Sequence, residues 1–194
     1  MSITRDLTLV SYASIRNPVR CDGEVPDNPV MRNQFVLRST SPHCYTHCFV
    51  HFNWSLLTPE PATIISAHLR IYRRDDDGSP DKIYVHRVLR SFVPAQMKWA
   101  QWKSGSNWSV AGGEGNGTDR SATIMADLSG QTIRDAWALV PLNLSEFNLM
   151  KNAKQGLGLY MQDIDSPWYN SNITWVNMML RVTYTPKAQQ VIMM

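Results

Sequence analysis

Charge is scarce in this chain: Asp, Glu, Lys and Arg make up 18% of its 194 residues, against 43% hydrophobic. That balance excludes a disordered segment or a coiled coil, both of which carry far more charge. The 19 basic and 16 acidic residues leave a net charge of +3, too slight and too scattered for a nucleic-acid footprint. Cysteine is equally sparse. Cys21, Cys44 and Cys48 form an odd set, which suits reduced thiols better than a disulfide framework. No apolar run approaches the length of a membrane span. The opening Met1-Ser2-Ile3-Thr4-Arg5-Asp6 has no apolar stretch behind it and does not read as a signal peptide. The expectation is a protein made in a cytoplasm, leaving it by lysis or a dedicated route, with neither nucleic acid nor membrane as partner. On that expectation the Asn-x-Ser/Thr triplets at Asn53, Asn107, Asn116, Asn143 and Asn172 read as turn and strand-edge chemistry, not as glycan acceptors.

What the chain does have is alternation. In Ile65-Ser66-Ala67-His68-Leu69-Arg70-Ile71-Tyr72, the residues Ile65, Ala67, Leu69 and Ile71 fall on one face and His68, Arg70 and Tyr72 on the other. The run ends in Asp77-Gly78-Ser79-Pro80 and resumes at Ile83-Tyr84-Val85-His86, so 64–90 reads as a hairpin. Gly156–Met161 alternates again, and Met178, Leu180, Val182 and Tyr184 point one way near the C-terminus. Thr8–Ile15, Asn33–Arg38 and Tyr45–Trp54 are further strand candidates. Helical spacing is limited to two short connectors. One carries Ile133, Ala136, Trp137 and Val140; the other carries Leu144, Phe147 and Met150 behind an Asn143 or Ser145 cap. Seven Trp and eleven Pro also point away from a helical bundle. The expected fold is all-β, a jelly-roll sandwich of two antiparallel sheets over residues 1–186, with one or two short helices. An apolar extension follows at 187–194.

The order of these pieces resembles a known family. Phe49-Val50-His51-Phe52 leads through Leu56-Leu57-Thr58-Pro59 to the Ser66-Ala67-x-Leu69-Arg70-Ile71-Tyr72 strand. Ile83–Val88 comes next, then a block holding Trp99, Trp108, Gly112-Gly113 and Asp119. A Trp137 segment, the Gly156–Met161 strand and Leu180-Arg181-Val182-Thr183-Tyr184 close the series. Over roughly residues 8–185 this is similar to the DNRLRE, or disaggregatase-related, domain. The resemblance implies a β jelly roll of the kind found beside polysaccharide-degrading enzymes and in cell-surface and phage virion proteins. Some members bind carbohydrate. It also implies that Trp99 and Trp108 are structural. The 137–156 connection is longer than the family's usual turn.

Several constellations invite chemistry. Trp102, Trp168 and Tyr169 sit among turn residues and are candidates for stacking on sugar rings, the alternative being core filling. The long glycine-rich stretch 103–122 is either functional or tied down by its own side chains. His43, Cys44, His47, Cys48 and His51 are zinc-ligand types, but on a strand the cysteines face one way and the histidines the other. No metal or cofactor is therefore expected. Asp163 and Asp165 would share a strand face, as paired carboxylates or a calcium corner do; a solvated strand end fits as well, and is preferred. Asp75–Asp77 reads as a charged turn. No nucleophile elbow, His-Glu-x-x-His or phosphate loop is present, so no catalytic residue is assigned.

The tail residues Val191, Ile192, Met193 and Met194 have no strand or turn to bury them and read as an arm docking on a neighbouring subunit. The functional expectation is a non-catalytic virion structural protein: a bacteriophage decoration, collar or tail-associated subunit touching other virion proteins or copies of itself. The alternative is a carbohydrate-binding module for a cell-surface polysaccharide.

Overall fold

The structure, a computed structural model, describes residues 1–16, 35–39, 46–76, 83–128, 136–161 and 171–187. Its long strands are β1 (Ile3–Arg16), β2 (Phe35–Ser39), β3 (Thr46–Phe52), β4 (Pro61–Asp76) and β5 (Ile83–Arg87). A small hairpin follows, β6 (Gln101–Lys103) with β7 (Ser106–Asn107). The rest are β8 (Ala126–Asp127), β9 (Ala136–Pro141), helix α1 (Leu144–Ala153), β10 (Leu157–Met161) and β11 (Ser171–Pro186). Ladder order runs β8-β5-β10-β3-β1-β11-β4-β9, with β2 also on β11.

β1 makes this one path into two layers. Its first half, Ile3–Thr8, pairs with β11; after a register shift between Leu9 and Ser11 its second half pairs with β3. The first sheet is therefore β1-β11-β4-β9 and the second is β1-β3-β10-β5-β8, every pairing antiparallel. First and last strands lie side by side, and the chain crosses between the sheets at each later step. That is the double Greek key of a jelly roll. Inward residues of β4 (Ala67, Leu69, Ile71), β11 (Met178, Leu180, Val182, Tyr184) and β9 (Ala138, Val140) meet Cys48, Val50, Leu157, Leu159, Ile83 and Val85 from the opposite sheet. Each fully buried Leu, Ile or Val contributes about 1.5–3 kcal/mol over its exposed state, so this seam dominates stability.

A third layer covers the second sheet from outside. Ala13, Ile15, Phe49 and Tyr160 project away from the main core and are buried by Val88, Phe92, Met97, Trp99 and Trp108. β10 is thus buried on both faces: Leu157 and Leu159 look inward, Tyr160 outward. Gly112 lets the covering segment close. Its φ is +81°, and a Cβ there would sit 2.7 Å from the Trp99 ring.

Three local expectations need correction. β4 and β5 do not form a hairpin; β4 pairs with β11 and β9, β5 with β10 and β8. Turn residues show where the chain reverses, and here it reverses across the sandwich. The 133–140 stretch is not a helix over its described part, since Ala136–Pro141 pairs with Tyr72 and its neighbours as β9. Ile65 does not face inward. A register shift on β4 sends Ile64 into the core and leaves Ile65 49% exposed. The second connector is helical as expected. Asn143 Oδ1 accepts from the Ser145 and Glu146 amides at 3.0 and 3.2 Å, and Phe147 and Met150 are buried. Arg87 holds the helix to β5 by donating to Glu146 at 3.0 Å and to Gln155 at 2.9 Å. Asn53 and Asn116 also serve local bonding, accepting from Ser55 N and Arg120 Nε. Among the described residues no helix is long and apolar enough to cross a membrane.

Candidate functional site

Trp168, Tyr169, Asp163, Asp165, Val191–Met194, Cys21, His43, Cys44 and Asp77 lie outside the described residues. Trp102 lies within them, half-buried beside the outer cluster. Its indole donates to the Asn107 carbonyl at 3.1 Å, and the Lys103 ammonium sits 4.5 Å from its ring centroid. A sugar stacking on that covered face would have to displace Lys103. Trp99 and Trp108 are 8% and 5% exposed. Trp108 stacks on Phe49 and donates to the Lys98 carbonyl, while Trp99 lies against His47.

Strand parity separates the described histidines from the described cysteine. Cys48 faces the inter-sheet core with Sγ 3.1 Å from Ser14 Oγ, and burial pushes its thiol up to about 12. His47 and His51 face the other way. His47 Nδ1 donates to the Gly112 carbonyl at 2.9 Å, and its Nε2 lies 3.5 Å from Glu114. His51 stacks on Phe92 at 4.0 Å, and burial lowers its pKa.

The glycine-rich stretch is tied down by Asp119. This buried carboxylate accepts from the Ser109, Val110 and Gly115 amides, from Ser109 Oγ at 2.7 Å, and from Arg90 Nε at 3.2 Å. Burial alone would raise its pKa, but the Ser109, Val110 and Arg90 bonds outweigh burial and hold it below the ordinary range. Beneath it, His86 Nδ1 donates to the Ser121 carbonyl at 2.9 Å, and the ring meets Tyr160 edge-on. Arg120 lies over the other ring of that pair, 4.5 Å from the Tyr160 centroid. Burial first, then Arg120, brings His86 down to about 4. These groups hold the third layer in place and leave no open approach to Tyr160.

The open surface lies on the first sheet. Outward residues of β4 and β9 bring Tyr72 edge-on to Trp137 at 5.5 Å and set the Arg70 guanidinium 4.1 Å from the Trp137 ring centroid. Arg181 donates twice to Asp6, at 2.8 and 2.7 Å, and Arg70 reaches the same carboxylate at 3.5 Å. The Arg181 bond holds Asp6 below the ordinary carboxylate range. Trp137 stays 36% and Leu139 48% exposed. Sequence reasoning missed this face by placing Trp137 on a helix. The signal was there: Ala138 and Val140 are small or branched and apolar, and Trp137 and Leu139 alternate with them.

A second opening, a cavity of about 360 Å³, lies where the turn after β3 meets the end of α1. Trp54, Leu57 and Pro61 line it together with Lys151 and Lys154. Neither lysine stood out in the sequence, because their shared role depends on a turn from another part of the chain. No protein-family model matches the chain, and a search of curated proteins finds no match either.

Proposed function

We propose that the chain is a non-catalytic structural subunit of a virus particle, a bacteriophage decoration, collar or tail-associated protein on a jelly roll of the DNRLRE kind. One observation carries this reading: the two outer faces of the sandwich are unequal. The second sheet is sealed by its own chain, whereas the first leaves Trp137 and Leu139 in water among ion-paired arginines. A face with an apolar centre and a charged rim has the composition of a protein interface. Jelly rolls also recur in capsid and lectin domains, which supports the reading by fold analogy alone. Other virion proteins or further copies of the chain would cover this face. The Val191–Met194 stretch is proposed as a second attachment. Immunodetection of the chain in purified particles tests the proposal: stoichiometric presence is expected, and absence from particles overturns it.

A second reading, carbohydrate binding, is favoured by the Tyr72–Trp137 pair with Arg70 and Arg181 beside it, aromatic area next to hydrogen-bond donors. A glycan array with wild type and Trp137→Ala tests it. Loss of one stacking contact should weaken binding by about 1 kcal/mol. A blank array removes this reading and leaves assembly.

A further inference from the structure

The cavity near the end of α1 combines features that no packing role requires together. Trp54 packs beside Phe147, ring centroids 6.1 Å apart, so an aromatic ring is fixed in the cavity wall. Leu57 and the buried Pro61 extend that apolar wall. Across from them the last turn of α1 supplies Lys151, Asn152 and Lys154. The carboxylate in the lining, Glu60, is engaged by Lys187 at 2.7 Å, and that bond lowers its pKa. Lys151 and Lys154 form no ion pair or hydrogen bond through their ammonium groups among the described residues.

Cations at a helix C-terminus are favourable on their own account, and that explains a lysine at 151. It does not explain two uncompensated ammonium groups on a cavity whose other wall is aromatic and aliphatic. Two cations call for an anion; a flat apolar wall calls for a C–H face; an exposed amide suits a hydroxyl. Pyranose rings bearing an acidic group carry all three. The volume stands at the small end of ligand clefts, suited to a sugar unit rather than a protein segment.

We propose that this cavity binds an anionic sugar residue, a pyranose bearing a carboxylate or a sulfate. The ring lies against Trp54, Leu57 and Pro61, its acidic group meets Lys151 and Lys154, and a hydroxyl meets the Asn152 amide. The site is distinct from the Trp137 face and does not depend on the assembly reading.

Isothermal titration of the whole chain tests it with three probes: a galacturonate trimer, its neutral galactose counterpart, and a sulfated galactose oligomer. One acidic probe should bind about tenfold or more tighter than the neutral one, and added salt should weaken it. Which acidic probe wins decides between carboxylate and sulfate. Lys151→Gln with Lys154→Gln, two changes on an exposed helix end, should leave the melting temperature unchanged and weaken acidic-sugar binding at least about tenfold. Trp137→Ala should not alter it. Three results would overturn the proposal: equal binding of neutral and acidic probes, no binding of any probe at millimolar concentration, or unchanged binding by the lysine double variant. Binding lost in Trp137→Ala but kept in the lysine variant would move the sugar to the sheet face and leave only that reading standing.

Discussion

His86 occupies a position whose consequence is set by what lies above it. Its ring is 3% exposed, donates to the Ser121 carbonyl, and faces Arg120 and Tyr160, with Glu146 the opposing charge. Desolvation and Arg120 bring it from 6.5 to about 4, so the folded chain resists taking up a proton that the unfolded chain accepts. Between those values the unfolded state binds more protons, and stability falls as pH drops. The full contribution is present above pH 6.5, and up to about 3 kcal/mol is lost on approaching pH 4. Denaturant titrations from pH 7 to 4 should show this slope in wild type and a flatter one in His86→Gln; identical slopes would exclude His86 as its source. Alternation in the sequence placed His86 opposite Val85, and no more. That its face would be covered, and by an arginine, depends on a segment more than thirty residues away.

At the scale of elements, short segments were the least legible. Ile133, Ala136, Trp137 and Val140 fit a helical period, yet Ala136–Pro141 also fits a strand, and pairing with β4 decides between them. β4 itself was legible apart from Ile65, because a bulge inverts parity and leaves no compositional mark. α1 was legible because Asn143 announces its own cap. The 109–120 segment belongs to this scale too, since one side chain organises it. Asp119→Ala would strand the amides of Ser109, Val110 and Gly115 and release Arg90. Each bond to a charged acceptor contributes about 1.5–3 kcal/mol, so a loss of at least about 3 kcal/mol is expected. Tryptophan fluorescence should report early exposure of Trp99 and Trp108 as the third layer loosens. A variant as stable as wild type would show that the segment is held by the aromatic cluster alone.

For the whole molecule, the jelly roll could be read from the strands, because inward residues such as Leu180, Val182 and Tyr184 keep strict alternation over a long run. The unequal outer faces could not. Which sheet is covered depends on where 88–121 folds back, and nothing in that stretch names its partner strand. Yet this inequality is the centre of the functional account: a sealed second sheet for stability, an open first sheet for attachment. The most direct test is incorporation of the chain into particles in cells that supply the other virion proteins, comparing wild type with Trp137→Ser combined with Leu139→Ser. Both side chains are exposed, so the variant should melt close to wild type. The account predicts that wild type enters particles and the folded double variant does not. Equal incorporation of the two would contradict it.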